Sequence, residues 1–207
     1  NWFMAIAASS VTPTNSLEDF RIEFNNLVSD VTGITATNTF DTNIMGSVNL
    51  LDSVRRCSTV RSLVYITSDK CYENLEWIWG YRETDRLGGH DPYSASKGAA
   101  EIIFSAYLRS FFESNKLIGA ASTRAGNVIG GGDWSKDRII PDVIKNLEIN
   151  KTVILRNPNY TRPWQHVLDP LQGYLTLAKE LYTSENQEIE SAFNFGPITN
   201  ESYTVLN

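Results

Sequence analysis

Cysteine is nearly missing from this chain. Cys57 and Cys71 are the only two in 207 residues, and their spacing matches no metal-ligand pattern, so neither a disulfide scaffold nor a metal centre is expected. Two reduced thiols suit a cytosolic protein. There is no basic run and the net charge is −6, which argues against nucleic acid or an anionic membrane surface as the main partner. No apolar stretch approaches the roughly 20 residues of a membrane-spanning helix. Internal repeats and low-complexity tracts are absent. So is any glycine-rich phosphate loop ahead of residue 43, the usual device for holding a dinucleotide diphosphate. Phe3 to Ala8 is apolar but has no basic residues before it, a weak leader candidate. The first residue is Asn and not Met, which points to trimming or a fragment.

What is present is ordinary for a globular domain: 42% apolar and 20% charged residues. Residues 1–38 carry the weakest signals. Thr12 to Ser16 reads as a turn, Ser16 to Asp19 as the cap of a short helix, and Gly33 to Asn38 as a loop. From Thr39 the pattern sharpens. Phe40, Ile44, Val48 and Leu51 recur at helical spacing, predicting an amphipathic helix over 39–56 with those residues inward and Arg55 and Arg56 at its negative end. Leu63 to Ile66 is a buried strand. A long aromatic and charged connection follows over 71–91, of the kind usually tied to function. A helix is predicted over 93–112 with Ala99, Ile102, Ile103, Ala106 and Tyr107 inward. Ile118 to Thr123 is a strand, Gly130 to Trp134 a turn, Ile139 to Leu147 a helix with Pro141 in its first turn. Thr152 to Leu155 and Ala192 to Phe195 are short strands flanking a helix over 170–182. Strand and helix alternate, which implies an α/β fold, a parallel sheet covered by helices.

Two polar clusters stand where such a fold places chemistry. Tyr93 and Lys97 lie four residues apart, so on a helix the phenol and the ammonium share a face. The ammonium favours phenolate and lowers the phenol pKa from roughly 10 toward neutrality, suiting Tyr93 as a general base. Thr67-Ser68-Asp69-Lys70 follows the strand at its carboxyl end, where open parallel sheets form their ligand crevices. Asp69 and Lys70 read as an acid/base pair, or else as a solvated pair after a strand; a lysine serves as base only where burial or a like charge depresses its pKa. Asn43, an unfavourable residue mid-helix, is expected to bond something near the site or to face solvent. Arg138, Arg156 and Arg162 offer fork-like donors for a diphosphate. Asn127 suits a sugar hydroxyl, a phosphate or a turn, and His166 a ligand contact or a structural role.

Five runs carry a family resemblance: Thr39 to Leu51; Thr67-Ser-Asp-Lys-Cys-Tyr-Glu-Asn74; Gly89-His-Asp-Pro-Tyr-Ser-Ala-Ser-Lys97; Arg124-Ala-Gly-Asn-Val-Ile-Gly-Gly-Gly-Asp-Trp134; and Arg156-Asn-Pro158 with Arg162-Pro-Trp-Gln-His-Val167. Over about 39–199 the chain resembles the CDP-glucose 4,6-dehydratases, nucleotide-sugar enzymes of the extended short-chain dehydrogenase/reductase superfamily. The resemblance implies a Rossmann-like doubly wound sheet, here without its N-terminal phosphate-binding βα unit and most of its C-terminal substrate lobe. Residues 1–38 would be a poorly matched segment and 39–207 the catalytic part, with the substrate lobe beginning near 130. It also implies NAD as cofactor, contacted by Tyr93, Lys97, Asn43 and Ala125. Tyr93 would take the proton of the carbon-4 hydroxyl, Ser68 would bond the carbon-4 oxygen, and Asp69 and Lys70 would manage loss of water. The substrate, CDP-glucose, would be held by Asn127, Arg138, Arg156 and Arg162, in a homo-oligomer. dTDP-glucose dehydratases carry Glu where this chain has Lys70, which tilts the reading toward a CDP-sugar. The alternatives are another epimerase or oxidoreductase of the same fold, needing Tyr93 and Lys97 but not Asp69 and Lys70, and an inactive sugar-nucleotide-binding remnant.

Overall fold

The computed structural model describes residues 4–9, 36–113, 118–134, 138–155, 157–184, 189–197 and 203–206. The turn expected at 12–16, the cap at 16–19 and Arg156 lie outside the described residues. The elements run β1 Met4–Ser9, α1 Ala36–Phe40, a π turn Asp41–Met45, α2 Gly46–Arg56, β2 Val60–Ile66, a 3₁₀ turn Asp69–Cys71 and α3 Pro92–Tyr107 with a π turn Leu108–Phe112. After these come β3 Gly119–Ala125, β4 Val128–Ile129, α4 Ile139–Glu148, β5 Thr161–Arg162, β6 Gln165–His166, α5 Leu168–Thr183, β7 Ala192–Phe195 and β8 Tyr203–Thr204. They form two compact units, Asn1–Arg124 with Tyr174–Asn194, and Ala125–Gly173 with Phe195–Asn207.

The first unit is built on a sheet in the order β1-β2-β3-β7. β2 and β3 run parallel, Ser62 opposite Gly119 through Ile66 opposite Thr123. β2, rich in β-branched and aromatic residues, is buried on both faces, as a central parallel strand requires. On one side Leu63 and Tyr65 join Leu51, Val54, Phe104, Leu108, Phe112, Ile118 and Ala120 in the main core, with Tyr65 stacked on Phe104 at 5.1 Å. On the other, Ser62 Oγ donates to the Ala178 carbonyl of α5 at 2.9 Å. Gly119 permits that contact: a Cβ there would lie 2.3 Å from the Leu181 carbonyl oxygen.

Four expectations need correction. The sheet is not wholly parallel, because β1 pairs antiparallel with β2, Met4 opposite Ile66. An antiparallel strand beside a parallel pair satisfies backbone groups without a crossover helix, and it occupies most of the apolar stretch read as a leader candidate. Residues 36–38 are helical, not loop. Thr152 to Leu155 forms no strand. The inward faces of two helices are only partly as expected: Leu51 is buried and Ile103 and Tyr107 pack against the core, but other positions differ. The buried residues of the first are Thr39, Asn43, Ser47, Leu51 and Val54, while Phe40 is exposed. On α3 they are Ser96, Lys97, Gly98, Ala100, Glu101 and Phe104, and Ile102 is 59% exposed. On both helices polar side chains take inward places that hydrophobicity had given to Phe40 and Ile102.

The second unit holds the parallel pair β4–β6, Val128 opposite Gln165, and the antiparallel pair β5–β8, Thr161 opposite Thr204. Gln165 Nε2 donates to the Phe195 carbonyl at 3.0 Å.

Candidate active site

Helix α3 carries Tyr93 and Lys97. Asp91 caps it, accepting the Tyr93 N–H at 2.9 Å and the Ser94 N–H at 3.0 Å, and Pro92 supplies a preset first turn. The side-chain bond from Ser94 holds the Asp91 carboxyl below its usual range, with the Ser94 backbone N–H adding to it and burial opposing. Tyr93 is therefore fixed in the first turn, half-buried, with Lys97 one turn on. The Lys97 ammonium lies 5.7 Å from the centre of the Tyr93 ring, and the residue is 1% exposed.

Burial lowers the Lys97 pKa to about 8, against the opposing charge of Glu101. Burial likewise pushes the neighbouring Cys71 thiol up to about 12, Glu101 adding to the effect, so this cysteine is a neutral wall of the site. Because Lys97 binds its proton less tightly in the folded chain than in the unfolded one, keeping it charged destabilises the fold. The cost is full below pH 8 and fades as pH rises toward the ordinary lysine value of 10.5. Lys97→Met is expected to raise stability by about 3 kcal/mol near neutral pH, at 1.36 kcal/mol per pKa unit. Denaturant titrations of both proteins at pH 7 and pH 10.5 check this, and the gap should close at the higher pH.

The helix face bearing Lys97 packs on the turn that follows β2. Gly98 makes the approach possible, since a Cβ there would sit 3.1 Å from both the Cys71 carbonyl oxygen and the Gly88 nitrogen. The Gly88 N–H donates to that carbonyl at 2.9 Å. Within the turn, Ser68 Oγ donates to Asp69 Oδ1 at 2.9 Å and accepts the Lys70 N–H at 3.2 Å. Ser68 and Asp69 are half-buried and Lys70 is exposed. Ser68 and Asp69 thus stand on a turn that packs on the helix of Tyr93 and Lys97, with Lys70 at the solvent edge of the turn.

Asn43 is fully buried in the π turn, a helix distortion often found at functional sites. Its Nδ2 donates to Ser96 Oγ at 2.8 Å, and Ser96 Oγ donates to the Tyr93 carbonyl at 2.6 Å. Ser47 Oγ donates to the Asn43 carbonyl and lies 2.5 Å from the Tyr65 hydroxyl. Asn43 therefore braces the turn that carries Tyr93, which explains an Asn mid-helix.

The remaining candidates belong to the second unit. Ala125 and Asn127 are half-buried, and the Asn127 carbonyl accepts the Gln165 N–H at 3.0 Å. Arg138 is exposed and precedes α4. Arg162 is half-buried, its Nη1 donating to the Thr161 carbonyl at 3.0 Å and its guanidinium 5.5 Å from the Tyr160 ring centre. His166 Nδ1 accepts the Leu168 N–H at 3.3 Å, capping α5.

A second network went unread in the sequence. Arg124 Nη2 and Glu101 Oε2 form a buried ion pair at 2.7 Å. Arg124 Nη1 donates to the Tyr72 hydroxyl at 2.7 Å and to the Glu83 carbonyl at 2.9 Å. Tyr72 in turn donates to Asn194 Oδ1 at 2.7 Å and stacks on Tyr81 at 5.1 Å. Burial works against the Arg124 charge, yet the bond and charge of Glu101 outweigh it, and its pKa is raised. The only available signal was Glu101, four residues past Lys97 on the same face; nothing local announced Asn194.

The family model described as the NAD dependent epimerase/dehydratase family matches residues 28–196. The chain belongs to this family. Among curated relatives, it is 53% identical over 171 residues to CDP-glucose 4,6-dehydratase of Salmonella typhimurium, covering 81% of this chain and 47% of that enzyme. It is 27% identical to CDP-paratose 2-epimerase of Salmonella typhi, covering 81% of this chain and 54% of that one. The chain thus spans about half the length of the curated relatives it matches. Of solved structures, dTDP-glucose 4,6-dehydratase from Bacillus anthracis in complex with NAD aligns at a TM-score of 0.68 and 22% identity, covering 92% of this chain and 57% of that one. UDP-galactose 4-epimerase aligns at 0.66 and 22% identity, covering 84% and 53%. These structural likenesses show that the family's Rossmann-like fold is the one described above.

Proposed function

We propose that this chain is the catalytic part of a nucleotide-sugar 4,6-dehydratase that converts CDP-glucose to CDP-4-keto-6-deoxyglucose. The observation that supports it most is the packing of the Ser68-Asp69-Lys70 turn on the helix face that presents Tyr93 and buried Lys97. The 53% identity to the Salmonella typhimurium enzyme supports the choice of sugar nucleotide. The alternative of a simple epimerase makes no use of an acidic and a basic residue side by side on that turn.

The donor set fits the nicotinamide end of NAD, since a buried ammonium beside a phenol can hold ribose hydroxyls. Tyr93, Lys97, Asn43 and Ala125 are assigned to that end. NAD, when bound, would accept the hydride of carbon 4 and later return it to carbon 6. Tyr93 takes the proton from the carbon-4 hydroxyl, and the Lys97 charge, little screened in its buried position, stabilises the phenolate. Ser68 turns its hydroxyl from Asp69 to the carbon-4 oxygen. The ketone formed there acidifies the carbon-5 proton. Asp69 and Lys70 then divide the elimination, one removing that proton and the other protonating the departing carbon-6 hydroxyl. Asn127, Arg138, Arg156 and Arg162 hold the nucleotide diphosphate and sugar. A cytosolic homo-oligomer completes the reading.

In the full-length protein, CDP-glucose is expected to bind at least ~10-fold more tightly than dTDP-glucose or UDP-glucose, about 1.4 kcal/mol, and to lose one water by mass spectrometry. Equal affinities in a competition assay would refute the CDP preference, and a product isomeric with the substrate would replace the dehydratase with an epimerase.

A further inference from the structure

We infer that Glu101 is a positioning residue, whose carboxylate sets the register between the Tyr93–Lys97 helix and the Ser68-Asp69-Lys70 turn. The inference rests on the reading above for what that register does, though not for its existence. Glutamate is almost never fully buried without partners, and Glu101 is 2% exposed. Its partners all lie at the carboxyl ends of the two central strands. Oε1 accepts the Thr67 hydroxyl. Oε2 accepts the Ser122 hydroxyl at 2.9 Å and Arg124 Nη2 at 2.7 Å.

The identity of those partners gives the carboxylate its role. Thr67 immediately precedes Ser68. Tyr72 immediately follows the Asp69–Cys71 turn, and it is reached from Glu101 through the Arg124 guanidinium. The turn is therefore pinned on both flanks to one carboxylate, and that carboxylate is borne by α3, one turn beyond Lys97 and two beyond Tyr93. Sliding the helix along the sheet by a fraction of a turn would break all three bonds at once. Apolar packing between the same elements would tolerate such a slip far better, because it is not directional. A buried ion pair adds little net stability over a well-packed apolar pair, so stability alone gives a weak reason for placing one here. Glu101 also faces Lys97, as do the Cys71 thiol on the turn and the Tyr93 ring on the helix, and its charge favours the protonated lysine.

The test uses the full-length protein, with Glu101→Gln and the paired change Glu101→Leu with Arg124→Met. The paired variant replaces two buried charges with apolar groups and should melt within a few degrees of the parent. If Glu101 positions, the paired variant loses about 10- to 100-fold in kcat at nearly unchanged KM. Its backbone amides at 67–72 exchange hydrogen about tenfold faster than in the parent. In Glu101→Gln the alkaline limb of kcat, set by Lys97, moves to lower pH. Wild-type kcat and wild-type protection at 67–72 in the paired variant would overturn the inference. If the paired variant does not fold, Glu101→Gln decides: an unmoved limb and unchanged protection overturn it. If the parent itself fails to dehydrate CDP-glucose, the proposed reaction falls, while exchange at 67–72 still decides whether Glu101 sets the register.

Discussion

Tyr93→Phe is expected to stop the reaction at its first step, lowering kcat by about 10²–10⁴-fold, the usual worth of a placed general base. The variant isolates one atom. Its backbone N–H still meets the Asp91 cap, and its carbonyl still accepts the Ser96 hydroxyl at 2.6 Å, so the helix start survives. Its ring still lies beside the Lys97 ammonium, and only the ionisable oxygen is lost. Lys97 then holds a charge with no phenolate to stabilise. Mass spectrometry of the sugar after a single turnover should find substrate alone, neither oxidised at carbon 4 nor dehydrated. A variant that forms the 4-keto sugar at the parent rate would remove Tyr93 from the role of base.

Asp69→Asn with Lys70→Met should instead separate the two halves of the chemistry. The substitutions spare the geometry of the turn. Asparagine keeps an oxygen for the Ser68 hydroxyl, and methionine keeps the backbone N–H that Ser68 Oγ accepts. Lys70 is exposed, so its loss leaves no cavity. In the proposed mechanism oxidation at carbon 4 draws on Tyr93, Lys97 and Ser68, which all remain. Elimination across carbons 5 and 6 loses both its base and its acid, each worth about 10²–10⁴-fold. The sugar should accumulate as a 4-keto hexose that retains its 6-hydroxyl, lighter than substrate by two hydrogens but not by water. Dehydration near the parent rate would make Asp69 and Lys70 a solvated pair and move the epimerase reading ahead.

These two variants draw on parts of the chain that the sequence displays openly, because local chemistry writes them. An i, i+4 Tyr–Lys pair on a helix and a polar run after a β-branched strand are short-range patterns, and the helix and the strand lie where expected. Alternation of strand and helix likewise gave the α/β class, since periodicity and length suffice for it. The antiparallel β1 and the inward faces of the two site helices were decided only by tertiary structure. Hydrophobicity placed Phe40, Ile44 and Ile102 inward, but the fold buries Asn43, Ser47, Lys97 and Glu101. A buried polar side chain is tolerated only when a partner from elsewhere in the chain meets it. Those partners, Ser96 for Asn43, and Thr67, Ser122 and Arg124 for Glu101, stand 21 to 53 residues away. The residues that carry the proposed chemistry are thus legible in sequence. The network that holds them in register is not, because a hydrogen bond between distant residues leaves no periodic trace along the chain.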